Sequence, residues 1–401
     1  MRRRVVVTGL GVLSSAGLDT KTFWDEISHG RAGIRPMELV DRTQLRFLNA
    51  AEARGFRATD HFEEKQAGLI DRFCQFAVVA ARQAVMDSGL TPSGPRCGVV
   101  TGSCVGGQTS MDEGFVDLYK KSLPRVNPMM IPRVMSNSGA SHISMELGIT
   151  GPVYSVSTAC SSSNHAIGQA FWLVRSGVLD SAITGGSEAV FSMGFLKAWE
   201  AMRVVSPDTC RPFSKGRRGL ILGEGAAMFV LETLESAKAR GAHIYGEIAG
   251  FGMSSDAHHV TQPSSDGAAM AMRSALEDAE IPPEAVGYIN AHGTGTASND
   301  STETAAIRSA FGSHADRLAV SSTKSMHGHT LGAAGAIEGA ATLLALHHGI
   351  IPPTANYNEA DPDCDLDVVP NEPREMACEY ALSNSFAFGG LNAVLAIRGS
   401  V

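Results

Sequence analysis

Cys160 stands where a cysteine can act as a nucleophile. It follows the strand-like run Val153 to Ser157, is flanked by Thr158-Ala159 and Ser161-Ser162-Ser163, and precedes a helical stretch that opens at Asn164. A thiol at such an elbow feels the positive end of the helix dipole and its free N–H groups, which favour thiolate. A buried structural thiol is the competing reading of the same residue. Two histidines lie in Gly-rich turns after strand-like runs, His292 within Asn290 to Thr296 and His329 within Ser322 to Gly332. If these turns share one end of the fold, the sulfur and both imidazoles meet at one point; taken singly, each reads better as a satisfied or surface histidine. His258-His259 and His347-His348 have no cysteine or carboxylate at metal-ligand spacing, so no metal site is expected there.

Asn384 to Asn392 joins an aromatic pair to Gly389-Gly390. The glycines permit backbone angles that would let Phe388 swing or present its N–H to a site; a plain turn with core phenylalanines is the alternative. Gly9-x-Gly11 lacks the third glycine of a dinucleotide loop, so a nicotinamide cofactor is not expected.

Elements able to position these residues recur twice. Val7 to Ser15 is echoed by Ile248 to Ser255, Ala81 to Pro92 by Met272 to Pro283, Val156 to Cys160 by Val320 to Lys324, and Gly225 to Val230 by Gly390 to Leu395. The order is collinear, as a duplication with insertions in the first copy requires. Strand-like runs (Arg4–Thr8, 98–102, 153–157, 181–185, 227–231, then 288–291, 318–321, 380–383, 393–397) alternate with helical stretches (73–88, 164–176, 267–279, 331–348), which predicts an α/β fold. Two halves, 1–245 and 246–401, are expected to pack face to face, with Cys160 and Lys324 near a pseudo-twofold axis.

Composition sets the bounds. The chain has 401 residues, 44% of them hydrophobic and 18% charged, which is enough for a large core and too few charges for disorder. Lys+Arg 33 against Asp+Glu 41 leaves −8 with no basic block, so nucleic acid is not an expected partner. The apolar stretch after Met1-Arg2-Arg3-Arg4 is too brief for a signal peptide and no run is long enough to span a bilayer, so a cytoplasmic location is expected. Seven scattered cysteines fit neither a disulfide framework nor a zinc ribbon.

Four segments in order, Gly151 to Ser163, Asn290 to Thr296, Lys324 to His329 and Asn384 to Asn392, resemble the β-ketoacyl-acyl-carrier-protein synthases of the type I/II group, members of the thiolase fold. The resemblance spans essentially the whole chain. It implies a thiolase-like duplicated α/β fold, layered α-β-α-β-α, with two pseudo-symmetric halves. It also implies a decarboxylative condensation: Cys160 takes an acyl chain from the phosphopantetheine of an acyl carrier protein, and His292 and His329 hydrogen-bond the malonyl thioester. Lys324, paired with Glu303, orients the group; the N–H groups of Cys160 and Phe388 form the oxyanion hole; Phe388 and Gly389 form the gate. Thr294 and Thr296 match positions that contact the pantetheine arm. Val105, in Ser103 to Gly107, matches the segment closing the acyl tunnel beside the dimer interface.

No metal, nicotinamide or flavin is implied, and a homodimer is. Docking an acidic carrier protein calls for a local basic patch, for which Lys120, Lys121, Arg125 and Arg203 are candidates. The chain departs from the family's common pattern at Asn164, His165, His327, Ala387 and Leu391. Lys197 to Arg203 and Pro352 to Tyr357 resemble the rhizobial nodulation type of synthase. A thiolase would need a second cysteine at the gate, and Cys378 lies upstream of it. A non-catalytic chain-length partner would have lost Cys160, and a thioester hydrolase would not explain two histidines and Lys324.

Overall fold

The computed structural model describes Arg2 to Gly399; Met1, Ser400 and Val401, at the ends of the two expected halves, lie outside the described residues. Ten strands carry the architecture: β1 (Val5–Leu13), β2 (Cys97–Gly102), β3 (Val153–Val156), β4 (Ser181–Glu188), β5 (Gly225–Thr233), β6 (Gly246–Ser255), β7 (Val286–Asn290), β8 (Ala319–Ser321), β9 (Tyr380–Ala387) and β10 (Leu391–Arg398). Seven helices matter here: α1 (Arg72–Ser88), α2 (Ser138–Leu147), α3 (Ser162–Arg175), α4 (Met193–Met202), α5 (Ser265–Ala279), α6 (Ala297–Phe311) and α7 (Ala334–His348).

The sheet order is β8-β7-β9-β10-β6-β1-β5-β4-β2-β3, which reads the same from either end once five is subtracted from each second-half label. In each half the first strand runs antiparallel to the fifth and the fifth to the fourth, while the second runs parallel to the fourth and the third. The two sets join where β1 pairs antiparallel with β6, Val5 opposite Ile248 and Val7 opposite Gly246. This arrangement accounts for the collinear echoes in the sequence.

Five layers follow. α1 and α2 cover one face of the first set, and α5, with α6 against it, covers the outer face of the second. Between the sets lie α3 and α7, each touching strands of both halves. α7 is buried from Ala334 through Ala345, as suits a helix whose only polar residues over that span are Glu338 and Thr342. α1 begins with the Asp71 side chain accepting from the Phe73 N–H and ends at Gly89 in the left-handed region. Its Phe73, Phe76, Ala77, Ala80 and Ala84 face the core at helical spacing.

The repeated Gly-x-Gly has a packing cause. A Cβ on Gly9 or Gly11 would strike the carbonyl oxygens of Ala84 and Ala80 on α1; one on Gly250 or Gly252 would strike those of Ala275 and Ala271 on α5. Both glycine pairs let a strand and a helix meet backbone to backbone. The run Asn384 to Asn392, expected to leave the strand early, is strand through Ala387, because its alternate residues are buried against α7 and β10; the turn is confined to Phe388-Gly389-Gly390.

Candidate active site

β3 delivers Cys160 and β8, its counterpart, delivers Lys324, one after each third strand of its half. Ala159, with φ of +50°, makes the elbow sharp, and the serine run staples it. Thr158 N–H donates to Ser162 Oγ at 2.9 Å, Ser161 Oγ donates to the Thr158 carbonyl at 2.8 Å, and Ser163 Oγ accepts from the Ala336 N–H of α7 at 2.9 Å. The departures Asn164 and His165 serve the same end. His165 Nδ1 donates to the Ser161 carbonyl at 3.1 Å, and Asn164 Nδ2 reaches the carbonyls of Ser383 on β9 and Ala393 on β10 at 3.1 and 3.3 Å.

The sulfur and both imidazoles do converge. His329 Nε2 lies 3.2 Å from Cys160 Sγ, the His292 and His329 ring centroids are 5.4 Å apart, and a ligand atom from each of the three residues falls within 4.8 Å of the others. The tautomers are legible from the neighbours. Leu331 N–H donates to His329 Nδ1 at 3.2 Å, and the Lys324 ammonium, which can only donate, sits 3.3 Å from His292 Nδ1. Each Nδ1 therefore accepts, and each neutral ring carries its proton on Nε2, which on His329 lies against Cys160. This arrangement suits two donors aimed at an oxygen. A metal would need both Nε2 lone pairs, which would turn each Nδ1–H against a donor.

Burial sets the charges. Desolvation, then the nearby Lys324 charge, holds His292 and His329 well below the usual imidazole range, so both are neutral at pH 7. The expectation of a ready thiolate is corrected. Cys160 is 7% exposed, and burial pushes its thiol up to about 11 despite Lys324 and the N–H groups of Phe388 and Cys160, which pull the other way. The resting group is a thiol.

The pairing of Lys324 with Glu303 is also corrected. Lys324 is ion-paired with Glu338 of α7, both side chains fully buried, and its Nζ donates to the His292 carbonyl at 2.6 Å. Glu303, on α6, accepts instead from the N–H groups of His292 and Gly293, each at 2.8 Å, and from Asn384 Nδ2 at 3.2 Å. It fixes the backbone of the His292 turn; Lys324 fixes its ring. Burial raises the carboxyls of Glu303 and, to about 7, Glu338. His327, whose influence had no sign from sequence, is pushed down to about 3, chiefly by burial. It stays neutral, bonded to Gly328 O at 2.8 Å and Thr323 Oγ1 at 3.0 Å.

A cavity of 270 Å³ leads from Cys160, His292 and His329 past Thr294, Thr296 and Phe388. Thr294 and Thr296 bond one another at 2.8 Å. Gly389 and Gly390 have φ of +84° and +66°, and Gly389 N–H donates to the Val260 carbonyl at 2.7 Å. Phe388 stacks on Trp199, ring centroids 6.2 Å apart. Val105 and Cys104 pack, half-buried, on the apolar cluster that holds Trp199 and Phe388. Sequence reasoning missed Trp199 and the segment His259 to Pro263, which line the cavity. His259 caps its own turn by accepting from the N–H groups of Thr261 and Gln262, a local bond with no spacing signature. Cys378 packs with Tyr288 and Met376, away from the cavity.

Comparison with known proteins agrees with this geometry. Residues 2–237 match the beta-ketoacyl synthase N-terminal domain and residues 245–358 the beta-ketoacyl synthase C-terminal domain. "Nodulation protein E" of Rhizobium sp. (strain N33) is 47% identical over 401 residues, covering 99% of this chain and 100% of that one. "3-oxoacyl-[acyl-carrier-protein] synthase 2" of Staphylococcus aureus (strain COL) is 42% identical, covering 99% and 98%. Among solved structures, the ketosynthase AntDE, described as bound to the hexaketide and in complex with the type II PKS acyl-carrier protein AntF, superimposes with a TM-score of 0.91 at 32% identity and full coverage of both chains. With a thiolase-like fold and this constellation of cysteine and histidines, the chain belongs to the β-ketoacyl synthase family of condensing enzymes.

Proposed function

We propose that the protein is a 3-oxoacyl-[acyl-carrier-protein] synthase that joins an acyl chain held on Cys160 to a malonyl unit by decarboxylative Claisen condensation. One observation carries this reading: two imidazoles locked as Nε2–H donors face a single buried thiol. Cys160 attacks the acyl thioester of a carrier protein, and its proton leaves with the departing phosphopantetheine thiol, so no net charge stays at the buried sulfur. The N–H groups of Cys160 and Phe388, which already point at Sγ, receive the developing oxyanion. The malonyl thioester oxygen then accepts from both Nε2–H groups. As the C–CO2 bond breaks, its electron pair enters an enolate that the two donors stabilise. The enolate carbon attacks the acyl carbonyl, and the Cys160 sulfur leaves with uptake of one proton.

Thr294 and Thr296 support the pantetheine arm in this reading, Val105 limits the acyl chain, and Phe388 with Gly389 gates the cavity. The carrier's phosphopantetheine is the only prosthetic group required. Arg203 follows Met202, which lines the cavity, and is the best placed of the four basic candidates for docking an acidic carrier. A homodimer through β3 is supported by its position at an open sheet edge, next to α2, which packs on β3 and carries the exposed Met145. The two halves are taken as 1–245 and 246–401. A place in fatty-acid or specialised acyl or polyketide biosynthesis accords with the similarity to nodulation protein E. No helix among the described residues is long and apolar enough to cross a membrane, and a cytoplasmic location fits this activity.

The test is incubation with acyl- and malonyl-carrier proteins, following 3-oxoacyl product, CO2 and free acid. Condensation is expected. Free acid without condensation indicates a hydrolase, and neither product indicates a non-catalytic chain-length partner. Cys160→Ala abolishes the acyl-enzyme; His329→Ala keeps acylation and loses decarboxylation.

A further inference from the structure

Glu188 ends β4 as a fully buried carboxylate, and none of the ion pairs among the described residues includes it. The Cys104 thiol and four further donors from two turns satisfy it instead. Ser103 Oγ reaches Oε1 at 2.9 Å and the Val105 N–H reaches it at 3.3 Å, while Oε2 accepts the N–H groups of Cys104 at 2.7 Å and Gly332 at 3.0 Å. Gly332 is glycine of necessity, since a Cβ there would strike Oε2 and the Cys104 nitrogen. The site chemistry above gives this charge no task.

Each turn leads to a different part of that chemistry. Leu331, which immediately precedes Gly332, is held with φ of +48°, an unfavourable angle for leucine. Its N–H is the donor that fixes the His329 tautomer. From Glu188 the chain of contacts therefore runs through Gly332 and Leu331 to His329 Nδ1 and, across the ring, to Cys160. The other turn carries Cys104 and Val105 into the apolar cluster beside Phe388. A carboxylate accepts at both oxygens; a carboxamide would face two of these donors with its own NH2.

We propose that Glu188 is a positioning residue that clamps the acyl-chain wall at Val105 to the turn that aims His329, so that chain-length selection and decarboxylation share one anchor. This rests on the condensing reading above and, for its first half, on Val105 as the wall.

The experiment compares wild type with Glu188→Gln, Ser103→Ala and Val105→Ala, using purified enzyme with acyl-carrier proteins of graded length and malonyl-carrier protein. Three quantities are read: acylation of Cys160, rate of CO2 release and product length. For Glu188→Gln, acylation of the preferred chain persists, CO2 release falls by about tenfold or more, the scale of a sub-ångström misplacement, and the length profile broadens. Ser103→Ala, which loosens only the Val105 side, shifts the profile and leaves CO2 release near wild type. A folded Glu188→Gln enzyme with both readouts unchanged overturns the proposal, as does a loss confined to melting temperature. If Glu188→Gln does not fold, an unshifted profile in Ser103→Ala overturns it. If Val105→Ala leaves the profile unchanged, the wall reading fails and takes the length half with it, while CO2 release by Glu188→Gln still decides the His329 half. Absence of condensation in wild type refutes the functional reading itself.

Discussion

Lys324 and Glu338 form an ion pair with both side chains fully buried, at the point where the His292 turn meets α7. Removing one partner strands a charge that water cannot reach. Glu338→Leu should therefore lower the unfolding free energy by about 3–5 kcal/mol, read from urea denaturation, and should cost decarboxylation along with it. A double replacement, Lys324→Met with Glu338→Leu, should recover much of the stability and none of the activity, because His292 Nδ1 would still lack its donor.

Glu303 should behave differently, since it holds main-chain N–H groups rather than Lys324. Glu303→Gln leaves the ion pair intact and turns one acceptor into a donor facing an N–H. We expect nearly unchanged acylation of Cys160 and CO2 release reduced by about tenfold to a hundredfold, measured by single-turnover assay. Loss of acylation as large as the loss of CO2 release would contradict the role assigned to it.

A buried thiol pushed up to about 11 reacts in proportion to its small thiolate fraction. The rate of Cys160 alkylation by iodoacetamide should climb by about tenfold per pH unit from pH 7 through pH 10, without a plateau near 8.5. A rate already constant above pH 8 would show the helix dipole outweighing burial.

His327 supplies a pH dependence of stability. Its folded value is depressed to about 3 while the unfolded chain titrates near 6.5, so the unfolded state binds the extra proton as pH falls. Its contribution is present above pH 6.5 and is lost below it, amounting to about 2 kcal/mol between pH 7 and pH 5. His327→Gln should show a shallower fall in stability over that interval than wild type, by denaturant titration at both pH values. A parallel fall would place the acid sensitivity elsewhere.

The nucleophile elbow, the duplication and the meeting of Cys160, His292 and His329 were legible in sequence, because strand ends, glycine turns and collinear echoes are local patterns. The partner of Lys324 was not. Glu303 and Glu338 both lie on helices that follow histidine turns, and only the packing of α7 between the sheets selects Glu338. The protonation of Cys160 was misjudged for a related reason: a helix terminus can be read from adjacent residues, whereas the depth of burial depends on the cavity closed by Trp199, Phe388 and the His259 segment. The histidine tautomers hang on single N–H groups, and no spacing rule encodes those.

The mirrored strand order puts a sulfur after β3 and an ammonium after β8, at equivalent stations of the two halves. The two stations are filled unequally, the first by the reacting sulfur and the second by an ammonium that serves as a fixed electrostatic post. The reaction centre is thus a seam between unequal twins, and severing the polypeptide near residue 245 would yield two fragments, neither holding a whole catalytic set.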